Sequence, residues 1–266
     1  MKPWRYEGRW ALVTGASSGL GEVMADALAR RGTNLVLTAR RGDRLAALAE
    51  RIPSSHGVET RTVTADLALR GEASRVWAEA NAAAPVDLLV NNAGFGAQGA
   101  FQDIPLERHR SMIEVNCGAL LELAHLAIPG MRARGDGGII NVASIAAFQP
   151  VPLLASYAAS KAFVLSLSKA LWAENREHGI RVLALCPGRT PTEFQEVAGT
   201  GKAEGTFGFR TPAQVIEAGL RAFEAGKSYD VPGGENLAAT WLVRAAPRGL
   251  VTRVMKRLVR RVYPTA

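Results

Sequence analysis

The chain has 266 residues, of which 48% are hydrophobic, 21% charged and 6% aromatic. This composition is typical of a globular protein, because it is too apolar for a disordered chain and too evenly charged for a bundle of membrane helices. The two cysteines, Cys117 and Cys186, are too few for a disulfide framework, so a secreted disulfide scaffold is excluded, as is a collagen-like fibre. We expect neither a membrane span, which needs roughly 20 apolar residues, nor a signal peptide in residues 1–10. A cytoplasmic location is the simplest expectation.

The net charge of +8 is concentrated in one segment. Residues 241–266 contain seven basic side chains and no acidic one. Removing these seven from the 32 basic residues leaves 25 against 24 acidic residues, so the rest of the chain is nearly neutral. A general electrostatic surface for nucleic acid is therefore not supported.

Short apolar runs rich in Val, Ile and Leu alternate with longer helical patterns. Because the runs are almost continuously hydrophobic, they predict strands that are buried on both faces of a parallel sheet. The predicted strands are Trp10–Val13, Leu35–Thr38, Thr62–Thr64, Asp87–Val90, Ile139–Val142, Arg181–Leu185 and Ser228–Val231. The predicted helices are Gly19–Arg31, Arg44–Arg51, Gly71–Ala83, Glu107–Arg134, Ala155–His178 and Ala213–Ala225. This alternation predicts an α/β fold with a doubly wound parallel sheet.

The domain organisation is predicted from the absence of internal repeats and linkers. We predict a single α/β domain over residues 1–240, followed by an extension over residues 241–266. The segment Gly188–Arg210 is long for a connection between a strand and a helix, which is typical of a lid or binding loop, although a merely flexible insertion is the alternative.

The turn after the first predicted strand has the spacing of a phosphate-binding loop. Its glycines follow a Gly-x-x-x-Gly-x-Gly pattern at the point where the first helix opens. Backbone N–H groups and a helix N-terminus at this position would meet a dinucleotide pyrophosphate, and a Cβ would block its close approach. The predicted contacts are Gly15, Ser17, Ser18, Gly19, Leu20 and Gly21.

The end of the second predicted strand indicates which dinucleotide binds. An acidic residue here would bind the ribose 2′-hydroxyl of NAD, whereas an arginine accommodates the 2′-phosphate of NADP. Arg40 and Arg41 follow this strand, and the first carboxylate is Asp43. The sequence therefore favours NADP(H), with Arg40 as the phosphate contact. The alternative is a pair of solvated arginines at a helix start.

A proton-transfer group is predicted on the helix after the fifth strand. Tyr157 and Lys161 are four residues apart and therefore share a helix face. A nearby lysine cation favours the phenolate and lowers the pKa of a tyrosine from its usual value of about 10. Ser144 closes the fifth predicted strand and is expected at the same edge of the sheet, where its hydroxyl could polarise a carbonyl group.

In chain order, these motifs resemble the short-chain dehydrogenase/reductase family. The matching residues are Thr14–Gly21, Asn91–Gly94, Asn116, Ser144, Tyr157, Lys161, Pro187 and Gly188. The match in order and spacing covers about residues 8 to 235, which makes it far more specific than any single motif. The resemblance implies a Rossmann-type sheet of about seven parallel strands with helices on both faces. It also implies a homodimer or homotetramer formed through the helices that follow strands four and five.

The resemblance also implies roles for individual residues. Tyr157 would be the general acid in ketone reduction and the general base in alcohol oxidation. Lys161 would lower the pKa of Tyr157 and hold the nicotinamide ribose. Ser144 would orient the carbonyl group, and Asn116 would support a water link towards solvent. The implied cofactor contacts, besides the glycine turn and Arg40, are Asp66, Leu67, Asn92, Ala93, Gly94, Tyr157, Lys161, Pro187, Gly188, Thr190 and Thr192. The family often has an aliphatic residue where Thr190 stands.

The substrate is expected to be hydrophobic, because the segment Ile145–Leu154 between Ser144 and Tyr157 carries no charge. Further candidates for the wall of the pocket are Phe95, Phe194, Phe207 and Phe209, although each of these side chains could equally belong to the core. These features predict an NADP(H)-dependent oxidoreductase of hydrophobic ketones, aldehydes or secondary alcohols. The alternatives are a 3-oxoacyl reductase and a nucleotide-sensing scaffold without turnover. The four histidines lack metal-ligand spacing, so no metal site is predicted.

The segment Leu250–Val262 predicts a basic amphipathic helix. Its apolar rows could dock on the body of the protein or on a second subunit. The alternative is adsorption to an anionic membrane surface as a peripheral contact.

Overall fold

The computed structural model describes residues 2–82, 84–199 and 209–262. The described residues form one sheet of seven parallel strands. The strands are β1 (Trp10–Thr14), β2 (Asn34–Ala39), β3 (Thr60–Thr64), β4 (Leu88–Asn91), β5 (Gly137–Val142), β6 (Ile180–Leu185) and β7 (Tyr229–Asp230). Their order across the sheet is β3-β2-β1-β4-β5-β6-β7, with the reversal of strand order between β1 and β4. This topology confirms the predicted doubly wound fold, and every predicted strand is present to within two residues at either end.

The burial of the strands explains their sequence pattern. Every residue of β1, β4, β5 and β6 is buried, so both faces of these strands carry apolar side chains. Strand β3 lies at the edge of the sheet, and Val63 is its one buried residue. Because β3 lies at the edge, few of its residues need to be apolar. Its sequence pattern is therefore weaker than that of every other strand except β7.

Helices cover both faces of the sheet. They are α1 (Gly19–Ala29), α2 (Gly42–His56), α3 (Glu72–Asn81), α4 (Leu106–Ile113), α5 (Ala119–Arg134), α6 (Ala155–Asn175), α7 (Phe194–Ala198), α8 (Pro212–Glu224), α9 (Gly234–Ala245) and α10 (Arg248–Val262). One hydrophobic cluster joins α1, α2 and α8 to the sheet, and a second joins α3 and α5 to the opposite face.

The structure differs from the predicted helices in three places. The predicted helix Glu107–Arg134 is divided, because a π-helical turn at Glu114–Gly118 separates α4 from α5. Helices α7 and α9 were not predicted. The boundary predicted after residue 240 falls inside α9, and the division into a domain and an extension stays a prediction.

The helical run Leu106–Arg134 is long and apolar enough to cross a membrane by length and composition alone, and 44% of its most apolar window is buried within the fold. Part of this run belongs to the core of the fold, because α5 packs along the sheet and residues such as Leu123 and Met131 are buried.

Helix α10 packs against the body of the same chain. Val251 is buried, and Met255 contacts a small cluster formed by Val151 and Ala158. The inward face of α10 therefore packs on the body of its own chain.

Candidate active site

The carboxyl ends of β1 to β6 open into a single cavity of about 510 Å³. Ligands of open α/β sheets bind at this edge, near the point where the strand order reverses. Of the site residues predicted from the sequence, all but Gly21 and Asn116 line this cavity. The lining set comprises Gly15, Ser17, Ser18, Gly19, Leu20, Arg40, Asp66, Leu67, Asn92, Ala93, Gly94, Ser144, Tyr157, Lys161, Pro187, Gly188, Thr190 and Thr192.

The glycine turn is shaped for close approach of a ligand. A Cβ at Gly21 would lie 2.2 Å from the carbonyl oxygen of Gly15, so Gly21 sits behind the cavity wall and lets the turn fold tightly. The side chain of Thr14 accepts hydrogen bonds from the backbone N–H groups of Asn92 and Ala93, each at 3.0 Å. The turns after β1 and β4 are therefore fixed to each other. Together they form a backbone cradle that fits the pyrophosphate of a nicotinamide dinucleotide.

A cluster of arginines lies beside this cradle. Arg41 donates to the hydroxyl oxygens of Ser17 and Ser18, at 3.1 and 2.7 Å respectively. Arg40, the residue selected from the sequence, is exposed and also lines the cavity. Both cations therefore border the cavity at the end of β2.

Glu193 joins the arginine cluster to the loop after β6. Its carboxylate forms ion pairs with Arg41 at 2.8 Å and with Arg44 at 2.6 Å. Hydrogen bonds from these two guanidinium groups hold the pKa of Glu193 at about 2. We call this arrangement the Glu193 latch, because it connects the segment before α7 to the start of α2. The sequence analysis missed it, since Arg41 and Glu193 are 152 residues apart.

The predicted proton-transfer residues meet in the cavity. Tyr157 and Lys161 lie one turn apart on α6, both are buried, and the Lys161 ammonium is 5.8 Å from the centre of the Tyr157 ring. Lys161 Nζ donates to the carbonyl oxygen of Val142 at 2.8 Å. Ser144 follows β5, and its Oγ accepts a hydrogen bond from the N–H of Ala146 at 3.1 Å. The three functional side chains therefore surround one space.

Burial lowers the pKa of Lys161 from 10.5 to about 8. The ammonium is thus mostly charged at neutral pH, although it sits in a poorly solvated position. The absence of a side chain at Gly94 makes room for the neighbouring Asn116, because a Cβ at Gly94 would lie 2.9 Å from Asn116 Oδ1. The same Cβ would be 3.4 Å from Lys161 Nζ, which is an ordinary contact, so a larger residue at this position would displace Asn116 rather than Lys161.

Asn116 lies in the π-helical turn and behind the cavity wall. Its Oδ1 accepts from the N–H of Phe95 at 3.1 Å, and its Nδ2 donates to the carbonyl oxygen of Phe95 at 3.1 Å and to Ser160 Oγ at 3.0 Å. Asn116 therefore fixes the loop after β4 to α6. Turns of π-helix are common at functional sites because the extra residue redirects a side chain.

An apolar wall closes the cavity near Tyr157. The ring of Phe194 lies 5.3 Å from that of Tyr157, and Gln149 contributes a side-chain oxygen that is buried and has no hydrogen-bond partner among the described residues. The remaining wall residues near the reacting groups are Phe95, Ile145, Ala146, Val151, Leu154, Val197 and Met255. The sequence analysis missed Met255, because nothing in the local pattern of α10 connects it to the cavity.

Two of the expected apolar wall residues lie elsewhere, and a third falls outside the described residues. Phe209 does not line the cavity. Phe148 instead packs against Tyr229, with the ring centres 6.1 Å apart. Phe207 lies outside the described residues. The expected wall was therefore partly wrong, since only Ile145, Ala146, Gln149, Val151 and Leu154 of the segment Ile145–Leu154 line the cavity.

The thiols and potential metal ligands form no second centre in the described part of the chain. Burial raises the pKa of Cys117 and raises that of Cys186 to about 12, so neither thiol is activated. Among the described residues, no group of three or more His, Cys, Asp or Glu side chains could hold a metal ion.

The family model for short chain dehydrogenases matches residues 9–203. The chain belongs to this family.

Two curated relatives illustrate the similarity. The chain is 36% identical over 182 residues to hydroxysteroid dehydrogenase-like protein 1 of Gallus gallus, and the alignment covers 68% of this chain and 55% of that protein. It is 34% identical over 220 residues to a very-long-chain 3-oxoacyl-CoA reductase of Anas platyrhynchos, covering 80% of this chain and 68% of that protein. The chain thus spans about half the length of the first relative and about two thirds of the second.

A solved structure is similar over most of its length. It is a short-chain dehydrogenase from Sphingobium yanoikuyae in complex with NADPH, which is 34% identical and superposes with a TM-score of 0.83. The superposition covers 91% of this chain and 94% of that one.

Proposed function

We propose that the protein is an NADP(H)-dependent oxidoreductase of hydrophobic ketones or aldehydes and the corresponding secondary alcohols. The observation that carries this proposal is the meeting of Ser144, Tyr157 and Lys161 in one cavity with a glycine cradle and an apolar wall. The wall of the cavity near Tyr157 is mostly apolar, which suits a hydrophobic substrate.

When bound, the nicotinamide dinucleotide supplies the hydride for reduction or accepts it in oxidation. The glycine turn would hold its phosphates, and Asp66, Asn92 and Thr190 lie where the rest of the molecule would extend. Tyr157 then donates a proton from its hydroxyl to the carbonyl oxygen during reduction, or takes one from the alcohol during oxidation.

The other polar residues support this proton transfer. The Lys161 cation favours the phenolate of Tyr157 over the neutral phenol, which assists release of the proton. The Ser144 hydroxyl donates a hydrogen bond to the substrate oxygen and stabilises the charge that develops there. Asn116 is a positioning residue, and support for a water link from Lys161 is its proposed further role.

The preference for NADP(H) is proposed from the cluster of Arg40, Arg41 and Arg44, and the NADPH in the Sphingobium relative supports it. We expect Arg40→Ala to lower kcat/KM with NADPH at least tenfold while leaving kcat/KM with NADH nearly unchanged, because only the former cofactor carries the 2′-phosphate. Steady-state kinetics with both cofactors measure this change. An unaltered ratio of the two values would remove Arg40 from its assigned role.

The substrate class is tested with a panel of carbonyl compounds, followed by the absorbance of NADPH. The panel contains bulky aromatic ketones, steroid ketones and 3-oxoacyl thioesters. The names of the 3-oxoacyl-CoA reductases among the relatives favour the thioesters as the second candidate. Binding of NADPH without turnover of any panel member, in either direction, would instead indicate a nucleotide-sensing scaffold.

We also propose a homodimer or homotetramer formed through the helices after β4 and β5. Its support is the exposure of Ile113 at the end of α4, Leu121 on α5 and Phe163 on α6. Light scattering of the purified protein measures the mass. A cytoplasmic location completes the proposal.

A further inference from the structure

Helix α9 has the reverse of the usual amphipathic arrangement. Its inward positions carry Asn236 and Thr240, which are both buried. Its outward positions carry Leu237, Trp241 and Leu242, and the last two are 59% and 71% exposed. A surface helix normally turns its apolar residues towards the core. An apolar face that includes a tryptophan and points away from the core is typical of a binding surface.

Helix α10, which follows α9 in the chain, carries positive charge. Arg253, Lys256 and Arg257 are exposed on α10, and Val254 is exposed between them. No acidic residue occurs in residues 241–266. The nearest carboxylate in the sequence, Glu235, is already paired with Arg210 at 2.7 Å. The exposed side chains of the two helices are therefore mainly apolar or positively charged. No acidic residue follows Glu235 in the sequence of either helix.

We propose that this α9–α10 surface, made of the exposed side chains of Leu237, Trp241, Leu242, Arg253, Val254, Lys256 and Arg257, binds an anionic lipid membrane. Lipid headgroups supply the negative charge that the cations require, and the apolar side chains enter the boundary between headgroups and acyl chains. Tryptophan is well suited to that boundary, because its ring is apolar and its N–H is polar.

The opposite face of α10 connects this surface with the cavity. Met255 lines the cavity, while Arg253 and Lys256 point outwards from the same helix. A membrane bound at the α9–α10 surface would therefore lie near the substrate pocket. Delivery of apolar substrates from the lipid rests on the proposed function, whereas binding to lipid does not depend on it.

Charge disfavours a second copy of the chain as the occupant. In a twofold interface the same patch meets itself, so the arginines and lysine of α10 would face one another. Like charges opposed across an interface reduce its stability. The exposed apolar residues of α4, α5 and α6 offer a separate place for self-association.

Sedimentation with lipid vesicles tests the inference on the full chain. We expect binding to vesicles of phosphatidylcholine mixed with phosphatidylglycerol, little binding to vesicles of phosphatidylcholine alone, and release by high salt. The triple variant Arg253→Gln, Lys256→Gln, Arg257→Gln should weaken partitioning at least tenfold, since each basic residue beside an anionic leaflet contributes about a factor of five. The double variant Trp241→Ser, Leu242→Ser should also lose binding.

Matched controls test whether vesicle binding depends on the α9–α10 surface or only on the net charge and the number of exposed apolar groups. The triple variant Arg5→Gln, Arg70→Gln, Arg221→Gln removes the same charge from exposed positions elsewhere, and Leu69→Ser, Leu106→Ser removes exposed apolar groups elsewhere. Both controls should bind as the unaltered protein does. The inference is overturned if anionic vesicles do not bind the protein, if a control loses as much binding as its matched variant, or if the α9–α10 variants reduce the oligomeric mass instead. Reduction of a water-soluble ketone reports separately on the proposed function.

Discussion

Lys161 serves two opposed requirements, because its charge assists Tyr157 but its position is buried. Burial lowers the pKa of its ammonium to about 8, so holding the charge at neutral pH costs free energy of folding. Functional residues often carry such a cost. The cost of the buried charge should therefore affect the free energy of unfolding as well as the activity.

We expect Lys161→Met to raise the free energy of unfolding at pH 7 by about 2 kcal/mol. The variant removes the cost of burying a cation whose pKa is lowered from 10.5 to about 8, and the lost hydrogen bond to Val142 offsets part of this gain. Because the pKa is lower in the folded than in the unfolded state, the unaltered protein gains stability as the pH rises from about 8 to 10.5. The advantage of the variant should therefore shrink over this interval. Urea unfolding at pH 7 and pH 10 measures the difference.

Lys169→Met is the control for this prediction, since Lys169 is exposed on the same helix. It should show no comparable dependence on pH. A Lys161→Met variant that is less stable at pH 7 would mean that the hydrogen bond outweighs the cost of burial.

Tyr157→Phe tests general acid catalysis directly. The ring packs against Phe194, and phenylalanine keeps that contact while removing the hydroxyl. We expect the reduction rate to fall at least about a hundredfold, with NADPH affinity nearly unchanged in a fluorescence titration. Tyr229→Phe, at a ring outside the cavity, should retain its rate. A Tyr157→Phe variant with more than about a hundredth of the normal rate would contradict the assigned role.

At the scale of elements, the Glu193 latch is expected to hold α7 over the cavity. The two ion pairs are half-exposed, so each stabilises the segment only weakly. Glu193→Gln should therefore increase amide hydrogen exchange in Phe194–Ala198 by roughly threefold to tenfold. Because the pKa of Glu193 is depressed from 4.5 to about 2, the latch should be intact above pH 4.5 and be lost as the pH falls towards 2.

Glu196→Gln provides the matched control, because Glu196 is an exposed carboxylate on α7 itself. Its exchange rates should stay close to those of the unaltered protein. Equal rates in the two variants would show that the ion pairs do not restrain the segment.

The sequence predicted the strands and much of the site for the same physical reason. Runs such as Ile139–Val142 are buried on both faces, so their pattern is set by local hydrophobicity alone. The residues that follow the strands share one edge of the sheet once the topology is known. Ser144 and Tyr157 could therefore be assigned to one cavity without coordinates.

The missed features depend on contacts between distant parts of the chain or on departures from regular periodicity. The partners of the Glu193 latch are remote in sequence. The π-helical turn at Asn116 interrupts a run that looks like one continuous helix. Helix α9 has polar residues, Asn236 and Thr240, at buried inward positions. It therefore lacks the apolar inward face by which a surface helix is predicted from sequence.

At the scale of the whole molecule, the two hydrophobic clusters share the central strands and should unfold together. Phe223 on α8 is buried and packs against Trp4, with the ring centres 4.9 Å apart. We expect Phe223→Ala to lower the free energy of unfolding by about 3–5 kcal/mol in a single transition, as measured with urea.

The same substitution at Phe101 is the control, because that side chain is 61% exposed before α4. Its cost should be under about 1.5 kcal/mol. Two separate transitions in Phe223→Ala would show that the faces of the sheet are independent.

The π-helical turn has a consequence for how the length of this chain can vary. A turn of π-helix holds one residue more than a turn of α-helix, so deleting one residue within Glu114–Gly118 would leave a regular helix with Leu120 and Leu123 still on the buried face. The same deletion would remove the bulge that directs Asn116 towards Phe95. A deletion within the regular turns of α4 would instead rotate everything beyond it by about 100°, so natural variants that are one residue shorter should have lost that residue from the π-helical turn.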